Sequence, residues 1–312
     1  MAGPVNGQIA NLGFRDRLAL LFGRRPDPEG KNGDHQGKET AGVLPLEAPA
    51  PIASTSSDLN LEVAEVLSVS QVNTFLDCAA RWYFKHFLGL PDVIDAKRAL
   101  GNAVHKALEE NFRQKIQSRK DLEREHVLEL YATAWQNEAE QARFAEDDDK
   151  AELERTGAVL VQKYLVEAAP EITPIAVEQR VSGVIAGVKV RGYIDLLDSN
   201  GRIIDIKPSS KKPSGIRPDS ARQIATYAQI TPGASGKAAV HTLVRTKTPQ
   251  LVEQNHQVTD ADRRHVEIIY PLVQEGMRNG LYTPNRGSMF CSRTSCAYWQ
   301  ACEKEFGGTV EE

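Results

Sequence analysis

Gly192-Tyr193-Ile194-Asp195-Leu196-Leu197, then Asp198-Ser199-Asn200-Gly201, then Arg202-Ile203-Ile204-Asp205-Ile206-Lys207 is the stretch on which the fold turns. Two apolar runs of strand length flank a four-residue turn, so they read as antiparallel neighbours. Strand side chains alternate between faces. Asp205 and Lys207 therefore share one face, and Ile204 and Ile206 turn to the other, which can be core. Asp195 comes from the adjoining strand and can lie near the Asp205 side. Acids within apolar strands are costly unless paired or bound to a cation. Two converging carboxylates repel, a divalent ion removes that penalty, and oxygen ligands suit Mg2+ or Mn2+. Such an ion lowers the pKa of a water, and a nearby lysine can orient that water or stabilise charge on phosphorus. These are the parts of a phosphodiester hydrolase. By itself, D-x-K is also compatible with an ordinary same-face ion pair.

Upstream of these strands the hydrophobic spacing is helical. Ser68 or Ser70 can cap a helix through Val72, Phe75 and Leu76 that reaches the aromatic, basic segment Arg81-Trp82-Tyr83-Phe84 and stops at Gly89-Leu90-Pro91. Further helices are predicted over about 96–116, 120–143 and 148–168. The period then becomes that of strands, predicted at 174–182, 184–190 around Gly187, 191–197 and 202–207. A helix at about 219–230, strands at 238–245 and near 250–258, and a long helix at about 260–279 follow, and the C-terminal tail after it reads as loop-rich. This order gives an α/β core with a mixed central β-sheet flanked by helices and a helical insertion.

Residues 1–62 read as a separate N-terminal tail, with residues 63–312 as the folded domain. Arg24 to Ser57 is dense in Pro, Gly, Ser and charge, the composition of a disordered linker. Before it, Ile9, Leu12, Phe14, Leu18, Leu21 and Phe22 can form a short amphipathic helix, either a weakly helical tail or a docking element for a protein partner. The formal net charge of −4 argues against a body coated in basic charge but leaves room for a local basic groove. No apolar run is long enough to span a bilayer, and Leu18–Phe22 is too short for a signal-peptide core, so a cytoplasmic protein is expected.

Further residues sit around the D-x-K pair. Gly101…His105 lies on the helix before the sheet, Glu178 lies within an apolar strand, and Gln223 and Tyr227 share a face of the following helix. Taken in order, Gly101…His105, Gly192…Asp195, Asp205-Ile206-Lys207 and Gln223…Tyr227 resemble the RecB-type branch of the PD-(D/E)XK nuclease superfamily over about residues 67–303. The resemblance implies a restriction-endonuclease-like fold. It implies that His105, Asp195, Asp205 and the Ile206 carbonyl hold Mg2+ or Mn2+, that Lys207 is the catalytic lysine, and that Gln223 and Tyr227 position the substrate strand or the lysine. Glu178 is a candidate supporting acid. The implied activity is a deoxyribonuclease, an exonuclease on single strands or DNA ends in recombination, repair or phage DNA processing. The alternatives are a non-catalytic DNA-binding module on the same fold and a structural zinc protein.

The only cysteines are Cys78, Cys291, Cys296 and Cys302. A structural zinc site usually draws on two local pairs, which one distant Cys plus a triplet fits poorly, whereas four thiolates can hold a [4Fe–4S] cluster. The arrangement is similar to the iron–sulfur clasp of AddB-type and CRISPR-associated RecB-like nucleases, which implies a cluster stapling the two ends of the domain. Here the triplet opens with a four-residue gap where a two-residue gap is common in those relatives, so its loop is longer. Arg81, Trp82, Tyr83, Lys85, Lys211 and Lys212 are candidates for contact with a DNA strand; core packing of the aromatics and a simply solvated lysine run are the competing readings.

Overall fold

The computed structural model describes residues 64–311. The tail at 1–62 and its amphipathic segment lie outside the described residues, apart from which one compact unit contains everything described here. A mixed six-stranded sheet is built around strand β3 (Val188–Asp198). Strand β2 (Pro174–Ile185) pairs antiparallel along one edge of β3. The opposite edge is shared. Strand β1 (Val66–Ser68) runs parallel against residues 189–191, and β4 (Ile203–Ser209) runs antiparallel against Leu196 and Leu197. Between them, residues 192–195 have no ladder partner on that edge, and Asp195 sits in the opening. Strand β5 (Lys237–Val244) continues the sheet parallel to β4, and β6 (Gln250–Gln257) closes it antiparallel.

Two helical layers cover the sheet. On one face, α3 (Ala96–Ser118), α4 (Arg124–Gln141) and α5 (Lys150–Glu167) bury Leu100, Val104, Trp135 and Leu160 against Ile204 and Ile206. This is the predicted insertion. On the other face, α1 (Val69–Asp77), α6 (Pro218–Ile230) and α7 (Asp260–Arg278) bury Val72, Ile224, Tyr270 and Val273 against Ile194 and Ile203. The Ile204/Ile206 alternation thus places the D-x-K strand with its apolar face on the insertion and its charged face toward α6.

Three expectations need correction. The break expected between strands at 184–190 and 191–197 is absent: Val184 and Ile185 end β2, and β3 runs unbroken from Val188 to Asp198, joined to β2 through Ala186 and Gly187 at φ +46° and +84°. Two consecutive left-handed residues make the tight turn that suits a hairpin, so the chain reverses there and runs straight onward. The first helix also stops early. Ser68 caps α1 in a capping box with Gln71, but Cys78 is extended (φ −154°), and a separate short helix α2 (Ala79–Trp82) continues into a π-helical turn at Tyr83–Phe87. Finally, the tail that read as loop contains helix α8 (Trp299–Phe306).

Candidate active site

The acids gather where β2, β3 and β4 meet α3. The ladder Leu196↔Ile204 continues, by register, to place Asp195 opposite Asp205. The strands part at this point, and the Ile206 N–H donates to Asp195 Oδ2 at 2.7 Å instead of to a β3 carbonyl. The N–H and C=O of one strand residue point to the same edge, so the Ile206 carbonyl also faces this opening. From α3, His105 brings Nδ1 to 3.8 Å from Asp195 Oδ2. Glu178 completes the group. It lies across from Asp195 on β2, and ligand atoms of His105, Glu178 and Asp195 all fall within 4.8 Å of one another. Its backbone is left-handed (φ +44°), a costly conformation for glutamate in a strand. At this residue β2 also changes the face it buries: Val177 packs on the insertion, Val181 on the α6 side.

Burial pushes the Glu178 carboxyl up to about 7, and the neighbouring Asp195 adds to the rise. Burial also raises Asp195; Asp205 reinforces that rise and His105 opposes it. Two carboxyls held above their ordinary range beside a histidine make a site that a divalent cation would relieve of charge repulsion.

Asp205 is 5 % exposed, and α6 fixes it. Gln223 Nε2 donates to Asp205 Oδ1 at 2.8 Å, while Lys207 Nζ donates to Gln223 Oε1 at 3.3 Å. Lys207 Nζ also lies 3.0 Å from Asp205 Oδ2 as an ion pair, yet not in hydrogen-bonding geometry, so this buried oxygen has no hydrogen-bond partner. A buried carboxylate held between an ammonium and a carboxylate-rich pocket fits a cation ligand. Burial works against the Lys207 ammonium, but Asp205 and Asp195 hold its pKa above the ordinary lysine value. Lys207 is therefore cationic at neutral pH.

Tyr227 packs between α6 and the sheet. It is buried, and its ring crosses Gly192 so closely that a Cβ there would lie 2.5 Å from Cε1. It seats α6 on β3 beside Asp195 and so positions Gln223. Glycine in Gly192…Asp195 is required by that contact. Gly101 of the histidine segment faces Pro208, with 3.6 Å between the ring and the place a Cβ would occupy.

The four cysteines line one pocket, although more than two hundred residues separate Cys78 from the triplet. No three of the four sulfurs lie within 4.8 Å of one another. The Asn285 N–H donates to Cys78 Sγ at 3.4 Å. Burial raises the Cys296 and Cys302 thiols, against the opposing pull of Arg81 on the first and Arg286 on the second. Arg286 lines the pocket with a buried Nη1 that has no hydrogen-bond partner, while its Nη2 donates to the Gly307 carbonyl. Sulfur ligands, an N–H···S bond, two guanidiniums and an unpartnered cationic nitrogen fit an anionic thiolate-bound group. Phe84 and Tyr298 pack beneath it.

All the predicted metal and lysine residues converge: His105, Asp195, Asp205, Ile206 and Lys207 lie around one opening. Glu178, only a candidate support in the sequence, has the more central place, because its left-handed backbone cannot be read from residue order. Of the proposed strand-contacting aromatics, Trp82 is 1 % exposed and Tyr83 stacks on Tyr282, so both pack. Lys85 is paired with Asp92. Arg81 instead faces an open groove beside Lys207. Arg286 had no local sequence signal.

A family model described as the PD-(D/E)XK nuclease superfamily matches residues 66–303. Among solved structures, a Eubacterium rectale protein described as a "Putative exonuclease" aligns at TM-score 0.50 and 12% identity, over 77% of this chain and 91% of that one. SSO0001 aligns at 12% identity over 77% and 96%, with a TM-score of 0.34 too low to argue from. No curated protein sequence matches. With the family match extending across both the D-x-K centre and the cysteine pocket, the chain belongs to the PD-(D/E)XK nuclease superfamily.

Proposed function

We propose that this nuclease is a Mg2+- or Mn2+-dependent deoxyribonuclease whose reaction centre is Asp195, Asp205 and Lys207, with His105 and Glu178 completing the cation site. The observation that carries the reading is the buried Asp205 carboxylate, ion-paired with a cationic Lys207 and across from Asp195. His105 Nδ1, the Asp195, Asp205 and Glu178 carboxylates and the Ile206 carbonyl would hold the cation. When bound, it supplies charge compensation for the acids and Lewis acidity toward a phosphodiester. Lys207 is the electrostatic partner of the phosphate: a protonated ammonium cannot act as a base but stabilises the negative charge that builds as water adds to phosphorus and the ester P–O bond breaks. Gln223 keeps the ammonium and Asp205 in register. The intact D-x-K centre and its clamp speak against a non-catalytic module. The substrates are single strands or DNA ends, cut by an exonuclease during recombination, repair or phage DNA processing.

The same reading assigns Cys78, Cys291, Cys296 and Cys302 to a [4Fe–4S] cluster of structural role. Thiolates around one zinc ion stand about 3.8 Å apart for a Zn–S bond near 2.3 Å, closer than this set of sulfurs; a four-iron core spreads its thiolates more widely. The cluster would tie the residue after α1 to the C-terminal loop.

The test pairs calorimetric Mn2+ titration with metal analysis of anaerobically purified protein. We expect Mn2+ binding that Glu178→Gln weakens by about tenfold, and iron and sulfide in brown protein. Colourless protein with stoichiometric zinc would overturn the cluster assignment, and Mn2+ binding unaffected by Glu178→Gln would remove that residue from the site.

A further inference from the structure

We propose that a single nucleic-acid strand runs from the Lys207 centre along a basic groove whose outer wall is the cysteine-bearing loop, with its bases stacking on Phe290 and Trp299. The proposal rests on the nuclease reading above and adds to it the path of the substrate. One wall of the groove is the end of β4 and the residue after it, from Lys207 through Ser210; Met289, Phe290, Thr294 and Ser295 of the cysteine loop also line it. Seven cationic side chains line it against three carboxylates, in a chain whose formal net charge is −4. The carboxylates are already engaged. Asp92 pairs with Lys85 and Arg98, Asp219 pairs with Arg217, and Asp95 caps α3 through the Arg98 N–H. Those pairs use Arg98 and Arg217, and Lys207 and Lys97 face Asp205 and Asp148, so the surplus open to phosphates rests chiefly on Arg143 and Arg245, with Arg81 4.0 Å from Asp77.

Beyond Lys97 the surface forks. One branch carries Asp147, Asp148, Asp149 and Glu152, with cations only equal in number to its acids. The other shares Asp148 with the first, keeps Asp95 and Arg143, adds Arg293, and ends at Trp299, so its three cations exceed its two acids. That balance favours a polyanion in the second. Aromatic surface lies in the main groove at Phe290 and in this branch at Trp299. Arg81 Cζ sits 5.3 Å from the Phe290 ring centroid, and Arg293 Cζ sits 4.7 Å from that of Trp299. Phe290 is 42 % and Met289 65 % exposed, which leaves apolar side chains open in a charged groove. A ring backed by a guanidinium and open to a basic groove is a platform on which an unstacked base can lie. A duplex keeps its bases inside and cannot use it.

The test is equilibrium binding of a short fluorescent oligothymidylate to the full chain, without divalent cations, against a hairpin duplex of equal length. We expect the single strand to bind more tightly. Phe290→Ala and Trp299→Ala should each weaken it by about tenfold, with Phe290→Tyr restoring most of the loss. Lys97→Glu, an exposed residue remote from the cysteines, should weaken binding several-fold, while Lys247→Glu in the acidic branch stays within about twofold. Both aromatic variants binding as wild type does, equal affinity for the hairpin, or Lys247→Glu costing as much as Lys97→Glu would each overturn the path. Cleavage is read separately: wild type that binds the strand but never cuts it with Mn2+ defeats the nuclease reading and leaves the groove intact.

Discussion

The acid centre and the cysteine pocket solve the problem of converging charge in opposite ways. At the acid centre, the ligands ride on strands β2, β3 and β4 and helix α3, so the positions of Glu178, Asp195, Asp205 and His105 follow from pairing register and helix packing. The cysteine pocket draws its thiols from a break between two helices, from helix α8 and from a C-terminal loop joined to that break by a few hydrogen bonds, among them Asn285 to Asp77 and Ser288 to Asp77. Its protein frame leaves the sulfurs apart, whereas the sheet already crowds its carboxyls. Substitutions at the acid centre should therefore remove chemistry and leave the fold, and substitutions at the cysteines should loosen the fold around an unchanged reaction centre.

The largest expected effect is on chemistry. Lys207→Ala removes the ammonium facing the phosphate and should lower kcat on DNA by on the order of 10^3, with the Tm near that of wild type; a Tm collapse would instead make Lys207 a structural residue. Cys302→Ser is expected to do the reverse. It should cost the protein its bound metal and about 2–4 kcal/mol of stability, by analogy with the loss of a cross-link closing a long loop, measurable by denaturant unfolding. A variant as stable as wild type would show that the pocket does not tie the chain ends.

Gly192→Ala separates the two regions further. The new methyl group meets the Tyr227 ring, so α6 must shift at a cost of about 1–3 kcal/mol, and Gln223 moves with it. Stability and kcat should fall together, and Tyr227→Leu should restore stability more than kcat. The smallest effect lies away from both sites. Burial holds His241, whose Nδ1 meets the Tyr164 hydroxyl at 2.9 Å, down to about 4. A histidine depressed in the folded state binds protons more readily when unfolded, so its stabilising contribution is present above the unfolded value of about 6.5 and is lost as pH falls toward 4. Going from about pH 7 to about pH 5 should cost roughly 2 kcal/mol, a Tm loss that His241→Gln reduces.

What was legible in the sequence divides along the same line. Alternation alone placed Asp205 and Lys207 together with Ile204 and Ile206 opposite, because strand period fixes sidedness whatever the tertiary context. The ordered motifs supplied His105 and Gln223. Sequence order could not supply Glu178 at the centre, since its place depends on a left-handed residue that lets β2 change faces, nor the continuous β3, since Ala186 offered no glycine signal for its positive φ. The packing of Tyr227 on Gly192 could not be read either, because a tyrosine near a D-x-K lysine and a tyrosine crossing a glycine look alike until the strand beneath is known. In the cysteine region only the residue count was informative. The break at Cys78, the helix at Trp299–Phe306 and the half-buried Arg286 arise from contacts between distant segments.

The central claim is tested most directly by incubating end-labelled single-stranded DNA with Mn2+ and either wild-type protein or Asp205→Asn, which keeps the shape and the Gln223 contact but removes the charge. Wild type should degrade the DNA and the variant should not, with both showing the same thermal unfolding. Equal degradation by the two proteins would contradict the assignment of Asp205 to the reaction centre.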